Sequence, residues 1–331
     1  MKRPHRRQFL HLAAGAAALP AMCRIAWAQT YPSRPITIVV PYAAGGATDS
    51  IGRVMAERMK LSLGQPVIVE NVTGAGGTIA VGRVARAAPD GYTLGLGSNG
   101  SHVVTGATYA LQYDLLNDFE PVALLSTGPF VLVAKKTMLA NDLKGLIAWL
   151  KANPDKATQG HGGTDSLSYI AGVFFQRETG TRFQFVPYRG GGAPAIQDLV
   201  AGHIDMLISD PVVALPQVRA GTIKAFGVTT KSRTLSAPDI PTLDEAGLPG
   251  FDISQWHGLW LPKGTPKNIT IKLNAAVIEA LADPMVRARL ADLAQEIPPR
   301  AQQTLEALGA LQKAEIEKWW PIIKAAGIKA E

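Results

Sequence analysis

The sequence predicts an α/β protein of two lobes, each a mainly parallel sheet flanked by helices, with the chain crossing between the lobes twice. Three observations carry this. Short β-branched runs alternate with amphipathic stretches of helical length along most of the chain. A unit of strand, Pro-Tyr, glycine loop and helix occurs twice, as Val40-Pro41-Tyr42-Ala43-Ala44-Gly45-Gly46-Ala47 and as Val186-Pro187-Tyr188-Arg189-Gly190-Gly191-Gly192-Ala193. Between the two copies, Gly128-Pro129 separates two apolar runs and marks a candidate hinge.

The elements follow in order. Ile36-Thr37-Ile38-Val39-Val40 is a continuous apolar strand closed by Pro41. After the Gly45-Gly46 turn, Thr48 is a candidate N-cap, and Ile51, Val54, Met55 and Met59 give the three-four spacing of a helix that Gly64 ends. Strand Val67-Ile68-Val69-Glu70, the loop Gly74 to Gly77, a helix to about residue 87 and strand Tyr92 to Leu96 complete a three-strand lobe. The next strand, Pro121 to Leu125, runs on into Phe130-Val131-Leu132-Val133-Ala134, where the second lobe begins. That lobe is expected to hold a helix at about 142–152, a glycine-rich loop at 160–166, and strands around Phe183 to Val186, Ile204 to Ile208 and Ile223 to Val228. The segment Trp256 to Pro262 is the return crossing, and the helical sequence from about Lys267 packs back on the first lobe. Lobe 1 thus comprises 29–127 and 255–331, and lobe 2 comprises 128–254.

With 331 residues, 47% of them hydrophobic and 18% charged, the chain is long enough for two ordinary cores. A net charge of +7 invites a nucleic-acid reading, but its distribution removes it. Lys2, Arg3, Arg6, Arg7 and Arg24 lie in the first 28 residues, which contain no acid and end in the small-x-small sequence Ala26-Trp27-Ala28. Residues 1–28 read as a cleaved export signal. The Arg6-Arg7 pair resembles the twin-arginine route, although Sec signals also begin with arginines. Beyond Ala28, 28 basic residues face 26 acidic ones, so no nucleic-acid partner is expected. The single cysteine, Cys23, falls in the signal, leaving no disulfide. The expectation is a soluble, periplasmic monomer.

Glycines at a strand-to-helix turn let the backbone approach a ligand, and the following helix offers unpaired N–H groups with partial positive charge. Two such ends facing each other form an anion pincer. Micromolar affinity needs roughly 8 kcal/mol. Charge-assisted hydrogen bonds supply about 1.5–3 kcal/mol each and helix ends about 0.3–2 kcal/mol each. Several N–H donors are therefore enough to hold one carboxylate, and no cofactor or metal is called for. Asp49, Asp205 and Asp210 are alternative general bases, with Asp210 before Pro211 placed at the cleft edge.

The segments Pro41 to Asp49, Asn71 to Gly77, Pro187-Tyr188-Arg189-Gly190, Ala201-Gly202-His203-Ile204-Asp205 and Pro238 to Gly247 resemble the Bug (Bordetella uptake gene) proteins. These are the TctC-type solute receptors of tripartite tricarboxylate transporters, and the resemblance runs in order through the mature chain. It implies a type II periplasmic-binding-protein-like fold and a receptor that closes on a small carboxylate and delivers it to membrane permease subunits. It also implies a grip formed by Tyr42, Ala44, Gly45, Gly46 and Asp49 in one lobe and by Thr164, Ser166 and Tyr188 through Gly191 in the other, including Gly190 and Gly191. Ser98 and Asn99 are added at a strand end. Two departures stand out. The family's Gly-Thr-Gly-Ser reads Gly163-Thr164-Asp165-Ser166 here, followed by Tyr169 where a His is usual, and the glycine run before Pro194 is one residue longer. Asp165 either favours an amine or amide on the ligand or points to solvent.

Two other classes stay open, a sensor for a signalling partner and an exported enzyme on the same scaffold. Gly95-Leu96-Gly97-Ser98-Asn99-Gly100 matches the dinucleotide pattern, but the run after it does not read as a helix start. A hydrolase would need His102, His161, His203 or His257 to meet a serine and an acid. Trp256, Trp260, Trp319 and Trp320 have the spacing of core residues rather than of an aromatic ligand box.

Overall fold

The structure, a computed structural model, describes residues 31–164, 166–188 and 192–329. The export signal expected over 1–28 lies outside the described residues.

β1 (Ile36–Val40) is apolar and buried apart from Thr37, so it can only be an inner strand. β2 (Val67–Asn71) and β3 (Thr93–Ser98) pair with it in parallel on either side, Ile36 opposite Val67 and Thr37 opposite Thr93. α1 (Ala47–Leu63) joins β1 to β2 and buries Ile51, Met55 and Met59 on one face. Gly64 ends it in the left-handed region at φ 67°, donating its N–H to the Lys60 carbonyl at 3.0 Å. Its N-cap is Gly46, not Thr48, because the Thr48 hydroxyl has a buried imidazole, His257, as its partner. α2 (Thr78–Ala85) leads to β3, which opens into a π-helical turn, Gly100–Val104, and the short α3 (Thr105–Thr108). A helical turn therefore does follow the Gly95-x-Gly97 run. Its glycines serve packing: a Cβ on Gly97 would collide with the ring of His102, and one on Gly95 would press on Val84.

β4 (Phe119–Pro129) ends in Gly128-Pro129, and after Phe130 the chain enters the second sheet as β5 (Val131–Lys135). There follow α4 (Leu143–Ala152), β6 (Thr158–His161), α5 (Leu167–Thr179), β7 (Gln184–Pro187), α6 (Gly192–Ala201), β8 (Met206–Ser209), α7 (Pro211–Arg219) and β9 (Ile223–Val228). β10 (Ser254–Pro262) returns to the first sheet, and α8 (Lys267–Ala282), α9 (Pro284–Asp292) and α10 (Leu305–Ala325) complete the chain.

The sheets run β2-β1-β3-β10-β4 and β7-β6-β8-β5-β9. Each has the same plan: a first strand between its two successors in parallel, then an antiparallel strand delivered by a crossing from the other lobe, then the last strand. The antiparallel crossings make each sheet mixed, with its parallel half beside the cleft. Strand C-terminal ends of both parallel halves open on the same gap, which is where open α/β sheets bind ligands.

Trp256, Trp260 and Trp319 are each 1% exposed and belong to the core, while Trp320 is half-buried with its indole N–H on the Val103 carbonyl at 2.9 Å. α10 docks on the first sheet through a buried amide. Gln312 accepts from the Trp260 indole at 3.1 Å and donates to the carbonyls of His102 and Leu115 at 3.1 and 3.0 Å. Every polar atom of that side chain is thereby satisfied, as burial demands.

Candidate functional site

A cleft of about 460 Å³ lies between the two sheets. Four helices begin at its wall: α1 after Gly46, α5 after Ser166, α6 at Gly192 and α7 after Asp210. Each helix start leaves its first N–H groups without an acceptor in the helix and carries roughly half a positive elementary charge. Among the described residues no lysine or arginine lines the cleft, so the positive charge these residues offer there comes from the helix ends.

The first-lobe loop is built by local chemistry. Gly45 sits at φ 85°, a left-handed conformation that glycine adopts without strain. Its N–H donates to Asp49 Oδ2 at 2.8 Å. Arg53 Nε reaches the same oxygen at 2.9 Å, and Asn71 Nδ2 bonds both Asp49 Oδ1 and the Tyr42 carbonyl at 2.9 Å. Asp49 is thus the brace of the turn rather than part of the cleft wall. Burial alone would raise its carboxyl, but the hydrogen bonds from Arg53, Gly45 and Asn71 outweigh it and hold the group below its ordinary value. Gly46, Ala47 and Thr48 line the cleft, and at a helix start their N–H groups have no acceptor within the helix.

Of the residues expected from sequence, the structure brings Tyr42, Gly46, Ser98, Ser166 and Asp210 to the cleft. Tyr42 Oη and Ser98 Oγ lie 3.2 Å apart. Ser166 caps α5, accepting from Tyr169 N at 3.3 Å and donating to the Gly163 carbonyl at 2.6 Å. Ala44 and Gly45 are exposed but are not among the lining residues. Asn99 is buried, donating to the Ser254 carbonyl at 2.8 Å where β10 begins. Thr164 donates to the Lys329 carbonyl at 3.3 Å. Tyr188 donates to Asp198 on α6 at 2.7 Å, and burial together with that carboxylate pushes its phenol up to about 12. Asp165, Gly190 and Gly191, with Arg189, lie outside the described residues.

Asp210 stands at the start of α7 without capping it. Burial pushes its carboxyl up to about 6, so one acid of shifted pKa sits among the four helix ends. Beside it, Ser209 Oγ is buried without a partner among the described residues. Asp205, by contrast, is structural: it accepts from Thr158 N and Oγ1 and pairs with Lys135 at 2.6 Å.

Sequence reasoning missed Thr48, Gly76, Phe130, His161, Ser209 and Gln255, all of which line the cleft. His161 and Ser209 end β6 and β8, so strand-end position in a parallel half was the available signal. Thr48 was read only as a cap.

No histidine assembles a hydrolytic triad among the described residues. His257 lies between Thr48 Oγ1 and Ser126 Oγ, each at 3.2 Å, and the next group in line is the amide of Gln295, not an acid. His102 is stacked on Trp260 at 3.9 Å, and burial pushes its ring down to about 3. No group of three or more His, Cys, Asp or Glu capable of holding a metal occurs among the described residues.

Comparison with known proteins agrees with this architecture. BugT of Bordetella pertussis is 34% identical over 304 residues, spanning 91% of this chain and 92% of BugT. The structure of MatC from Rhodopseudomonas palustris with bound malate is 40% identical, with a TM-score of 0.78 over 88% of this chain and 100% of MatC. A second R. palustris protein, solved with adipate, is 31% identical, with a TM-score of 0.80 over 90% of this chain and 99% of that one. The family is one of receptors, not of enzymes. Residues 51–328 match the family model described as tripartite tricarboxylate transporter family receptor, and the chain belongs to that family, TctC.

Proposed function

We propose that this protein is a periplasmic receptor that captures a small organic carboxylate in the cleft and hands it to the permease subunits of a tripartite tricarboxylate-type transporter. The observation that carries the reading is the convergence of four helix N-termini on one cleft, with no basic side chain in its wall among the described residues. Such a wall binds anions by main-chain N–H groups and dipoles, with water filling the remaining contacts. A volume of about 460 Å³ suits a metabolite and excludes a polymer. The malate and adipate held by two relatives are of this chemical class.

The grip assigned to the first lobe is the main chain of Gly46, Ala47 and Thr48 with Tyr42 and Ser98. The second lobe contributes Ser166, Asp210 and the glycine loop that includes Gly190 and Gly191. Closure brings lobe 1, 29–127 with 255–331, against lobe 2, 128–254, around a monomer's own crossings. No helix among the described residues is long and apolar enough to cross a membrane, in keeping with a receptor that meets its permease from outside. The test is mass spectrometry of small molecules released from natively purified protein, followed by calorimetric titration with malate and adipate. Saturable binding and full recovery of the acid are expected. Chemical turnover of the acid, or failure of every carboxylate tried to bind, overturns the reading.

A further inference from the structure

A buried chain of hydrogen bonds runs from the hinge to the cleft. Register places Ser126 of β4 opposite His257 of β10. The bridge between Thr127 and Glu296 sets Gln295 beside Ser126. The contacts are Gln295 Nε2 to the Leu293 carbonyl at 3.5 Å, Ser126 Oγ to Gln295 Oε1 at 2.9 Å, Ser126 Oγ to His257 Nδ1 at 3.2 Å, and His257 Nε2 to Thr48 Oγ1 at 3.2 Å. Thr48, His257 and Ser126 are 5%, 0% and 0% exposed, so water does not compete along the line.

The direction of every bond is fixed by proton counting. A carbonyl only accepts, so the amide NH₂ of Gln295 faces Leu293 and its oxygen faces Ser126. That oxygen also only accepts, so the one hydroxyl proton of Ser126 is spent on Gln295. Ser126 then accepts from the imidazole, and Nδ1 carries the ring proton. The ring also donates directly to the Gln295 side chain, which favours the same protonated Nδ1; burial outweighs that bond and pushes His257 down to about 4, so the ring is neutral and Nε2 is a bare lone pair. Thr48 donates its proton there. Thr48 is among the residues lining the cleft, and what its hydroxyl has left to offer a ligand is lone pairs only.

We propose that the Gln295–Ser126–His257 relay makes Thr48 an acceptor-only corner in an otherwise donor-rich cleft, and that this corner selects ligands carrying a hydrogen-bond donor, a hydroxyl or amino group, beside the carboxylate. The proposal rests on the carboxylate-receptor reading above. Thr48 is the specificity residue; His257, Ser126 and Gln295 position its proton and touch no ligand.

The test compares malate with 2-fluorosuccinate, which has the same dicarboxylate skeleton but a fluorine that cannot donate. Wild-type protein is expected to bind malate about tenfold tighter or more, the cost of leaving a buried acceptor unmet. Thr48→Val removes the acceptor. Gln295→Met frees the Ser126 proton for Nδ1, moves the ring proton to Nε2 and turns the Thr48 hydroxyl towards the cleft as a donor, without altering the cleft wall. Both variants are expected to reduce the ratio to within about threefold. Nitrogen-15 NMR of the histidine rings in the full-length mature chain reads the relay itself: a protonated Nδ1 in wild type and a protonated Nε2 in Gln295→Met. A protonated Nε2 in wild type, or a ratio unchanged by both variants, overturns the inference alone. Binding of neither acid by a wild-type protein that binds adipate or another carboxylate overturns the inference alone, and failure of every carboxylate tried overturns the carboxylate reading and the inference with it.

Discussion

Replacing Gly46 by valine separates binding from folding at a single atom. Gly46 is the N-cap of α1, at φ −78° and ψ 171°, an extended conformation that β-branched residues adopt freely. A Cβ there has as its nearest neighbour the Ala43 carbonyl oxygen at 3.6 Å, an ordinary contact. Valine is a poorer N-cap than glycine, so the expected loss of stability is about 1 kcal/mol or less. The new isopropyl group stands in the cleft wall beside the N–H groups of Gly46, Ala47 and Thr48. Blocking one charge-assisted hydrogen bond costs about 1.5–3 kcal/mol, or roughly ten- to 150-fold in Kd. The assay is calorimetric titration with malate or adipate, beside urea unfolding of the same preparations. Gly45→Val is the control. At φ 85° it strains the backbone by about 1–2 kcal/mol and disturbs a residue whose N–H is spent on Asp49, so its loss of stability is the larger. Unchanged affinity in Gly46→Val, with the ligand still bound by wild type, would refute the idea that this loop is the grip.

Three further outcomes are expected. Asp49→Ala leaves Gly45 N without its acceptor and Asn71 Nδ2 with the Tyr42 carbonyl alone, and should lower unfolding free energy by roughly 1–3 kcal/mol while weakening ligand affinity; a variant as stable as wild type would remove Asp49 from its bracing role. Asp210, raised to about 6, ionises as pH climbs from 6 to 8, placing a negative charge against the ligand. Adipate affinity should therefore fall over that range, and Asp210→Asn should flatten the profile when both are titrated at several pH values. His102 and His257 are pushed down to about 3 and about 4, so the unfolded chain binds more protons below pH 6.5. Stability present above that pH is lost as pH falls towards 4, by roughly 3 kcal/mol or more for the pair. Asp210 acts in the opposite sense between about 4 and 6 but with a smaller shift, and denaturant unfolding at pH 7 and pH 4.5 that gave equal free energies would contradict this assignment.

How much was legible follows from what each residue answers to. The buried strands Ile36–Val40 and Val131–Lys135 and the helix after Gly46 declare themselves because burial dictates their composition over several residues. β6 does not. Its four residues, Thr-Gln-Gly-His, hold no apolar run, and the sequence reads there as loop; the strand exists because β7 and β8 flank it. The cleft wall divides in the same way. Glycines and Pro-Tyr pairs advertise tight turns, so Tyr42 and Gly46 were visible, but the second Tyr of the repeat, Tyr188, bonds Asp198 instead. For Asp49 the sequence leaves two tasks open, because a first-turn acid and a ligand contact look alike until Asn71 and Arg53 are seen to surround it. Ser126, His257 and Gln295 are distant in sequence and meet only through a strand register and an isolated bridge, which no local pattern encodes.

The last helix, finally, does not belong to one sheet alone. While Gln312 holds α10 to the first sheet, Trp319 near its far end meets Phe174 of α5 edge-to-face at 5.4 Å, and Phe174 is itself stacked on Phe251 at 5.0 Å. Drawing Trp319 and Phe174 apart would wet two aromatic side chains that are 1% and 8% exposed, at a cost on the order of several kcal/mol. This knot of rings acts as a fulcrum. The cheapest motion is a rotation that keeps it engaged, so unliganded and liganded forms should differ by a swivel about Phe174 rather than by wholesale parting.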